Sequence, residues 1–400
     1  MAPTPSALEG LVIPYLQRQP WFLADMSRFD RGVWATSRIA DLEIVLDGRP
    51  GMASVVVTVG DRPFHILVGW REPTLAPAVL GNHHGAVLGM CDDGDGDVLC
   101  YDALADEELS TALLGVASSN HETAKRVRLV QSLVSHASLV YDERLFMKSY
   151  RVLEPAPRPE IELLMRLDEV GFRHILRPVA RWERNGWDLA LVREYIPGAV
   201  EGRLLALTSL RDLLGRSIDE DRLKLDEVGG AGGDLSSEMR RLGEITASLH
   251  MALAEAFGVR ALPAADPLSV AIRVHGDYHL RRVFRTDSGW VAGGFGDDPI
   301  IGRPGQGEVT PEPRFASPLE DLADLSYSLR QVAGEAVAAQ PAVTWTQAER
   351  LAKSWERRNR GAFLSGYLGV AGIGDLVSLD RSAAAEAIKS LVAERVAADS

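Results

Sequence analysis

Hydrophobic and polar positions alternate in the N-terminal part of the chain, a pattern typical of β-strands. Residues 54–59 and 64–70 are rich in β-branched and aromatic side chains, and the Gly-Asp-Arg-Pro segment between them has turn chemistry, so together they predict a hairpin. Residues 85–90 and 98–101 predict a second hairpin. The acidic segment that joins its strands, residues 91–97, has no glycine or glutamate where a calcium loop needs them. We therefore interpret this segment as a solvated turn.

The middle of the chain combines strand and helix patterns. Residues 126–197 read strand, helix and strand in turn, which predicts an α/β region. The remainder is mostly helical, but residues 271–274, 282–285 and 289–292 have the composition of short strands. This small island of β-structure is predicted to carry a polar loop between its first two strands.

The helices of the C-terminal half have clear start and stop signals. Residues 239–257 carry one apolar stripe, and Gly258 follows as a plausible helix end. Residues 317–320 form a capping box with proline at the favoured first helical position, and residues 346–349 form a second capping box. A last helix is predicted over residues 380–397.

Composition and charge exclude some classes of function. The chain has 400 residues, with 43 Lys and Arg against 56 Asp and Glu, so its formal net charge is −13. General nucleic-acid binding needs a basic face and is not expected, whereas a local basic pocket for a phosphorylated ligand is compatible with this charge. Cys91 and Cys100 cannot cross-link a chain of this length, which favours a reducing, cytoplasmic location. We find no signal peptide and no apolar run long enough for a membrane span, so no membrane partner is expected.

The candidate chemistry lies in the polar loop, where residues 275–279 read HGDYH. A carboxylate at the exit of a strand, here Asp277, can accept the proton of a substrate hydroxyl, as the base of a phosphoryl transfer does. His279 is suited to orienting Asp277 or contacting a phosphate, but a histidine bonded to backbone in a core has the same sequence signature. Both interpretations of His279 stay open.

The HGDYH segment resembles the catalytic loop of aminoglycoside phosphotransferase-like kinases, and other segments resemble maltokinases and the related actinobacterial glucosamine kinases. These segments follow the family order over nearly the full length: residues 13–22 (cap), 138–148 (nucleotide-binding strands), 159–162 (regulatory helix), 191–197 (hinge) and 363–367 (sugar side). The resemblance implies an α+β, bilobal protein-kinase-like fold. It divides the chain into a mixed α/β N-terminal cap (1–104), a mixed α/β nucleotide-binding N-lobe (105–197) and a mostly helical C-lobe (198–400).

The resemblance also implies an activity, transfer of the ATP γ-phosphate to a hydroxyl of a sugar or aminosugar with Mg²⁺, and it assigns roles to residues. Asp277 matches the catalytic base, with His279 beside it. Lys148 matches the lysine on the α- and β-phosphates, and Glu162 matches its ion-pair partner, with Glu160 as the competitor. The further nucleotide-binding candidates are Ser138, Glu194 and Ile196.

The substrate side of the resemblance falls on the C-terminal helix. Besides Asp277, the candidates for sugar binding are Trp355, Glu356, Arg360 and Tyr367. Simple helix packing for Trp355 and a solvated charge for Glu356 are the alternatives. A small cap on a bilobal kinase needs no partner chain, so we expect a monomer.

The chain departs from the family at its metal site. Arg282 stands where the family has an Asn or Gln ligand, and Gly294 and Gly296 stand where it has carboxylates. Glycine offers no side-chain oxygen, and Mg²⁺ needs oxygen ligands. Asp297 and Asp298 are substitute ligands if the loop shifts; alternatively, Arg281 or Arg282 holds a nucleotide without metal.

Two hypotheses of function follow from this departure. The first is an ATP-dependent sugar kinase of the maltokinase or glucosamine kinase type. The second is a catalytically silent pseudokinase that binds a sugar, a nucleotide or a partner enzyme of trehalose–glycogen metabolism.

Overall fold

The computed structural model describes residues 2–27, 29, 31–75, 79–81, 83–118, 122–130, 136–219, 234–262, 268, 270–295, 314–341 and 345–398. These residues form two compact units. Of the described residues, the first unit contains those up to Ile161 together with Arg177–Pro197, and the second contains Glu162–Leu176 and those from Gly198 onwards. No helix among the described residues combines the length and apolarity needed to cross a bilayer.

The first unit begins with two short helices and an antiparallel sheet. They are α1 (Pro5–Leu16), α2 (Pro20–Met26), β1 (Arg38–Leu46), β2 (Gly51–Val59), β3 (Arg62–Arg71), β4 (Val87–Asp92) and β5 (Asp97–Asp102). The five strands lie in the order β1-β2-β3-β5-β4, and both predicted hairpins, β2–β3 and β4–β5, are confirmed. Apolar side chains of α1 and α2 pack on the inner faces of β2 and β3 to form one core.

A second sheet completes this unit. The elements that follow are α3 (Glu107–Ala117), β6 (Val127–Val130), β7 (His136–Tyr141), β8 (Leu145–Tyr150), α4 (Pro159–Glu169), β9 (Pro178–Arg184) and β10 (Trp187–Glu194). The strand order is β6-β7-β8-β10-β9, with antiparallel neighbours throughout. The predicted α/β region is thus a five-stranded sheet interrupted by α4, which crosses the boundary between the units.

Backbone hydrogen bonds join the two sheets of the first unit. The His65 amide donates to the Arg151 carbonyl at 2.9 Å, and the Leu153 amide donates to the Pro63 carbonyl at 3.0 Å. Arg151 also pairs with the buried carboxylate of Asp102 at 2.6 Å. Both sheets therefore belong to one compact unit, while the division at residues 104 and 197 into a cap and an N-lobe stays a prediction.

The second unit is mostly helical. Its elements are β11 (Val200–Glu201), α5 (Gly202–Asp219), α6 (Ser236–Phe257), β12 (Val259–Ala261), β13 (Val270–Arg273), β14 (Val283–Thr286), β15 (Gly289–Ala292), β16 (Phe315–Ala316), α7 (Leu319–Ala338), α8 (Trp345–Leu368) and α9 (Arg381–Ala398). The strands of the predicted β-island are present, but they lie in two separate three-stranded sheets, β11-β14-β15 and β12-β13-β16. The Ser317 hydroxyl accepts from the Leu319 amide at 3.2 Å, which confirms the start of α7.

Helices α6 and α8 approach each other closely enough for their backbones to touch. A Cβ atom on Gly243 would collide with the Phe363 carbonyl, and one on Gly366 would collide with the Arg240 carbonyl. Only glycine fits at these two positions, because a backbone neighbour cannot swing away as a flexible side chain can.

Candidate active site

The short strands of the second unit present one polar loop. Strand β13 ends at Arg273 and β14 begins at Val283, so residues 275–282, which we call the Asp277 loop, connect them. Gly276 has φ +84°, in the left-handed region that favours glycine, which explains the glycine next to Asp277. The predicted polar loop between two short strands is confirmed.

The Asp277 carboxylate lies between two basic side chains. His279 Nε2 is 3.3 Å from its Oδ1, and Arg282 Nη2 is 3.0 Å from its Oδ2. Burial would raise the pKa of this carboxyl, but the His279 hydrogen bond and the nearby positive charges outweigh burial and hold the pKa below its ordinary value. The side chain keeps 42% of its accessible surface, so an ionised carboxylate is available to a ligand.

A buried carboxylate on α7 anchors the loop. Asp321 accepts hydrogen bonds from the amides of His275 at 2.8 Å and Gly276 at 3.0 Å. His250 Nε2 lies 3.2 Å from the same carboxylate, and His250 Nδ1 lies 2.8 Å from the Tyr367 hydroxyl. Since a carboxylate only accepts, His250 donates through Nε2, and its Nδ1 is hydrogen-bonded to the Tyr367 hydroxyl. A side-chain relay from α8 through α6 and α7 therefore fixes the backbone just before Asp277.

Sequence reasoning missed His250 and the anchoring role of Asp321. The one available signal was a polar residue on an otherwise apolar helix face. Because both side chains are fully buried, they need partners, and here they serve each other and the loop backbone. Burial would raise the pKa of the Asp321 carboxyl, but the His250 hydrogen bond and neighbouring groups lower it.

The predicted sugar-side residues divide into two groups. Trp355 and Tyr367 are buried in the helical core, where the Trp355 indole donates to Ser209 Oγ at 3.1 Å. Glu356 and Arg360 form an ion pair of 3.4 Å along α8. The burial of Trp355 agrees with the helix-packing alternative, and Tyr367 contacts the Asp321 anchor through His250. The sugar-binding roles of all four residues stay predictions.

The described residues around Asp277 do not fit a magnesium ion. Arg282, with its own positive charge, contacts Asp277 Oδ2 through both Nε and Nη2, and Gly294 has no side-chain oxygen. A Cβ atom on Gly294 would lie 2.5 Å from Arg282 Cδ and 2.7 Å from Arg282 Nη1. No group of three metal-ligating side chains occurs among the described residues. Three positions lie outside the described residues: Gly296, Asp297 and Asp298.

The first unit holds the predicted phosphate-binding lysine. Lys148 on β8 pairs with Glu160 at 2.8 Å, and both side chains are almost completely buried. The pairing predicted for Glu162 is therefore wrong, and the competitor Glu160 is the partner. Burial would raise the pKa of Glu160, but the charge of Lys148 lowers it, so the pair is ionic. The two glutamates lie in the first turn of α4, where the sequence does not reveal which one faces β8.

The remaining nucleotide-binding candidates also lie in the first unit. Ser138 is directly opposite Lys148 in the β7–β8 register, so the two side chains share one face of the sheet. Glu194 ends β10 and pairs with Arg177 at 3.0 Å, and Ile196 follows in the segment after the strand. Their roles in nucleotide binding stay predictions.

Comparison with known proteins agrees with this architecture. Residues 15–106 match the family model of the maltokinase N-terminal cap domain. A structure of glucosamine kinase in complex with glucosamine, ADP and inorganic phosphate is 18% identical, covers 83% of each chain and has a TM-score of 0.55. A second crystal form of glucosamine kinase is 17% identical, with 83% and 82% coverage and a TM-score of 0.55. At this identity the likeness establishes the fold. The chain thus carries a maltokinase N-terminal cap domain and has the α+β kinase-like fold of glucosamine kinase.

Proposed function

We propose that this protein transfers the γ-phosphoryl group of ATP to a hydroxyl group of a sugar or aminosugar. The observation that carries the proposal is Asp277, an accessible carboxylate with a depressed pKa on a loop fixed by Asp321. The buried Lys148–Glu160 pair supports a retained phosphate-binding lysine. The glucosamine and ADP bound to the structurally similar kinase support the classes of acceptor and donor.

The chemistry assigned to this chain is a single displacement. The sugar hydroxyl gives its proton to Asp277 as its oxygen forms a bond to the γ-phosphorus, and the bond from that phosphorus to the bridging oxygen breaks, so ADP leaves. Asp277 is ionised at neutral pH, so its carboxylate can receive this proton. Lys148 and Arg282 supply positive charge that offsets the charge of the phosphates.

The test is ADP release with ATP and each of glucosamine, maltose, glucose and an aminoglycoside, compared with Asp277→Asn. We expect one sugar to give turnover that falls about a hundred- to ten-thousandfold in the variant, the usual contribution of a general base. If every acceptor gives the Asp277→Asn background rate, the proposal is wrong.

A second candidate is a pseudokinase that binds a sugar or a nucleotide without turnover. The observation that favours it is the Arg282 guanidinium on Asp277 Oδ2, at the position where the resemblance expects a metal ligand. A rise in the melting temperature with sugar or with ATP, together with no ADP release, is the result that this candidate predicts, because a ligand stabilises only the state that binds it.

A further inference from the structure

Arg282 and Gly294 replace the expected metal ligands, and they fit each other in space. The Gly293 amide donates to the Arg282 carbonyl at 2.8 Å, so Gly294 follows directly on a backbone contact with the Asp277 loop. The Arg282 side chain extends past Gly294 to Asp277. Its Nε lies 3.2 Å and its Nη2 lies 3.0 Å from Asp277 Oδ2. The guanidinium thus reaches the carboxylate through the space that a side chain at position 294 would fill.

The steric relation between the two residues is reciprocal. Any side chain at position 294 would begin with a Cβ atom 2.5 Å from Arg282 Cδ, closer than real Cβ contacts allow. Gly294 also has φ +70°, a conformation that glycine adopts without strain. The guanidinium therefore keeps this place only while residue 294 is glycine, because a side chain there would force Arg282 to move away from Asp277.

The Arg282 guanidinium carries a positive charge, as a divalent ion beside Asp277 would. A guanidinium stays protonated at all physiological pH values and presents planar donors that match carboxylate and phosphate oxygens. Its side chain retains only 11% of its accessible surface, so it is held in place before any ligand arrives. A positive charge held in this way acts on a ligand without the rearrangement that a mobile side chain would require.

We propose that Arg282 is a built-in cation that takes the place of the divalent ion, so that the site binds a nucleoside triphosphate without metal. The choice of ligand rests on the proposed function; the replacement of the ion rests on Arg282, Asp277 and Gly294. The opposing hypothesis is that Asp297 and Asp298, outside the described residues, bind Mg²⁺. That hypothesis predicts ATP binding that depends on Mg²⁺.

The first experiment is calorimetric titration of the full chain with ATP, in EDTA and in excess MgCl₂. We expect the same affinity in both buffers and a loss of about ten- to hundredfold in EDTA for Arg282→Gln, the usual range for a charge-assisted hydrogen bond. Arg330→Gln, at an exposed position on α7, is the control and should bind as the unmodified chain does. Three outcomes overturn the proposal: affinity that rises with Mg²⁺, no ATP binding in either buffer, or a loss in Arg281→Gln with none in Arg282→Gln.

The second experiment tests the steric coupling without any nucleotide. Gly294→Ala adds the Cβ atom, and its melting temperature is compared in the original background and in an Arg282→Ala background. Backbone strain at position 294 contributes equally in both, so a smaller loss in the second background measures the clash with Arg282. Equal losses in both backgrounds would contradict the coupling.

The built-in cation and the proposed kinase activity can fail independently of each other in these experiments. ATP binding without metal and without any ADP release refutes the kinase while leaving the built-in cation intact. Turnover that requires Mg²⁺ supports the kinase and refutes the built-in cation.

Discussion

Asp277 and Asp324 are two carboxylates of the same unit whose pKa values are shifted in opposite directions. Around Asp277, basic neighbours outweigh burial and lower the pKa. For Asp324 on α7, burial outweighs its ion pair with Arg395 and raises the pKa to about 6. Arg395 also binds Glu320 at 2.7 Å, so its charge is shared between two acids. Burial and the number of partners, more than residue type, therefore decide the acidity of each carboxylate.

The raised pKa of Asp324 predicts a specific pH dependence of stability. Because the folded chain holds this proton more tightly than the unfolded chain, ionisation of Asp324 lowers the free energy of unfolding as the pH rises from about 4 to about 6. Asn at this position does not titrate. Asp324→Asn should therefore gain up to about 3 kcal/mol relative to the unmodified chain across this window, with no further change at higher pH.

Urea unfolding of both proteins from pH 4 to pH 8 measures this difference. A difference in the free energy of unfolding that is the same at every pH has no bearing on the prediction, since Asn also changes the contact with Arg395. Two curves that stay parallel through the whole range would contradict it.

The pairing of β8 with the first turn of α4 depends on one buried ion pair. Removing one member of such a pair leaves the other charge buried alone, which costs about 3–5 kcal/mol. We expect Glu160→Gln to lower the free energy of unfolding by about this amount, because it leaves Lys148 unpaired in the sheet. Thermal or urea unfolding measures the change.

Glu162→Gln is the matched control for Glu160→Gln. It makes the same chemical change on the same helix turn but does not touch the Lys148 pair, so its effect should stay within about 0.5 kcal/mol. Equal effects of the two substitutions would show that the ion pair has no special role.

The contact between α6 and α8 predicts an intolerance of small increases in volume. A methyl group on Gly243 meets the backbone of Phe363 and Tyr367, so Gly243→Ala should lower the free energy of unfolding by about 1–3 kcal/mol through overpacking. Gly334→Ala on α7 is the control: its Cβ meets nothing within 4 Å. Since alanine favours helix, this control should gain up to about 1 kcal/mol. Urea unfolding of both variants measures these changes. A loss of the same free energy of unfolding in each variant would refute the packing argument.

Elements defined by local pattern were predictable, and contacts between distant elements were not. The β2–β3 hairpin follows from its alternation and turn, and the start of α7 follows from its capping residues. The choice between Glu160 and Glu162 depends on how α4 lies against β8, which no local pattern encodes. The Tyr367–His250–Asp321 relay joins three helices and escaped notice for the same reason.

Across the whole chain, the order of motifs predicted the α+β kinase-like fold, and the comparisons confirm it. Many buried apolar side chains, distributed over both units, determine this fold. A reaction depends on a few polar atoms. Arg282 and Gly294 are separate positions in the sequence, and only the structure shows that they lie in contact.

The contact between Arg282 and Gly294 constrains the order in which such a site can evolve. In a chain with a carboxylate at position 294 the guanidinium could not take its present place beside Asp277, so a change to glycine would have to come first. Between the two changes the chain would have neither the carboxylate at position 294 nor the guanidinium at position 282. In the reverse direction, an acid could return to position 294 only after the arginine had left this place. Exchange between the two arrangements in either direction therefore passes through a chain that has neither charged group.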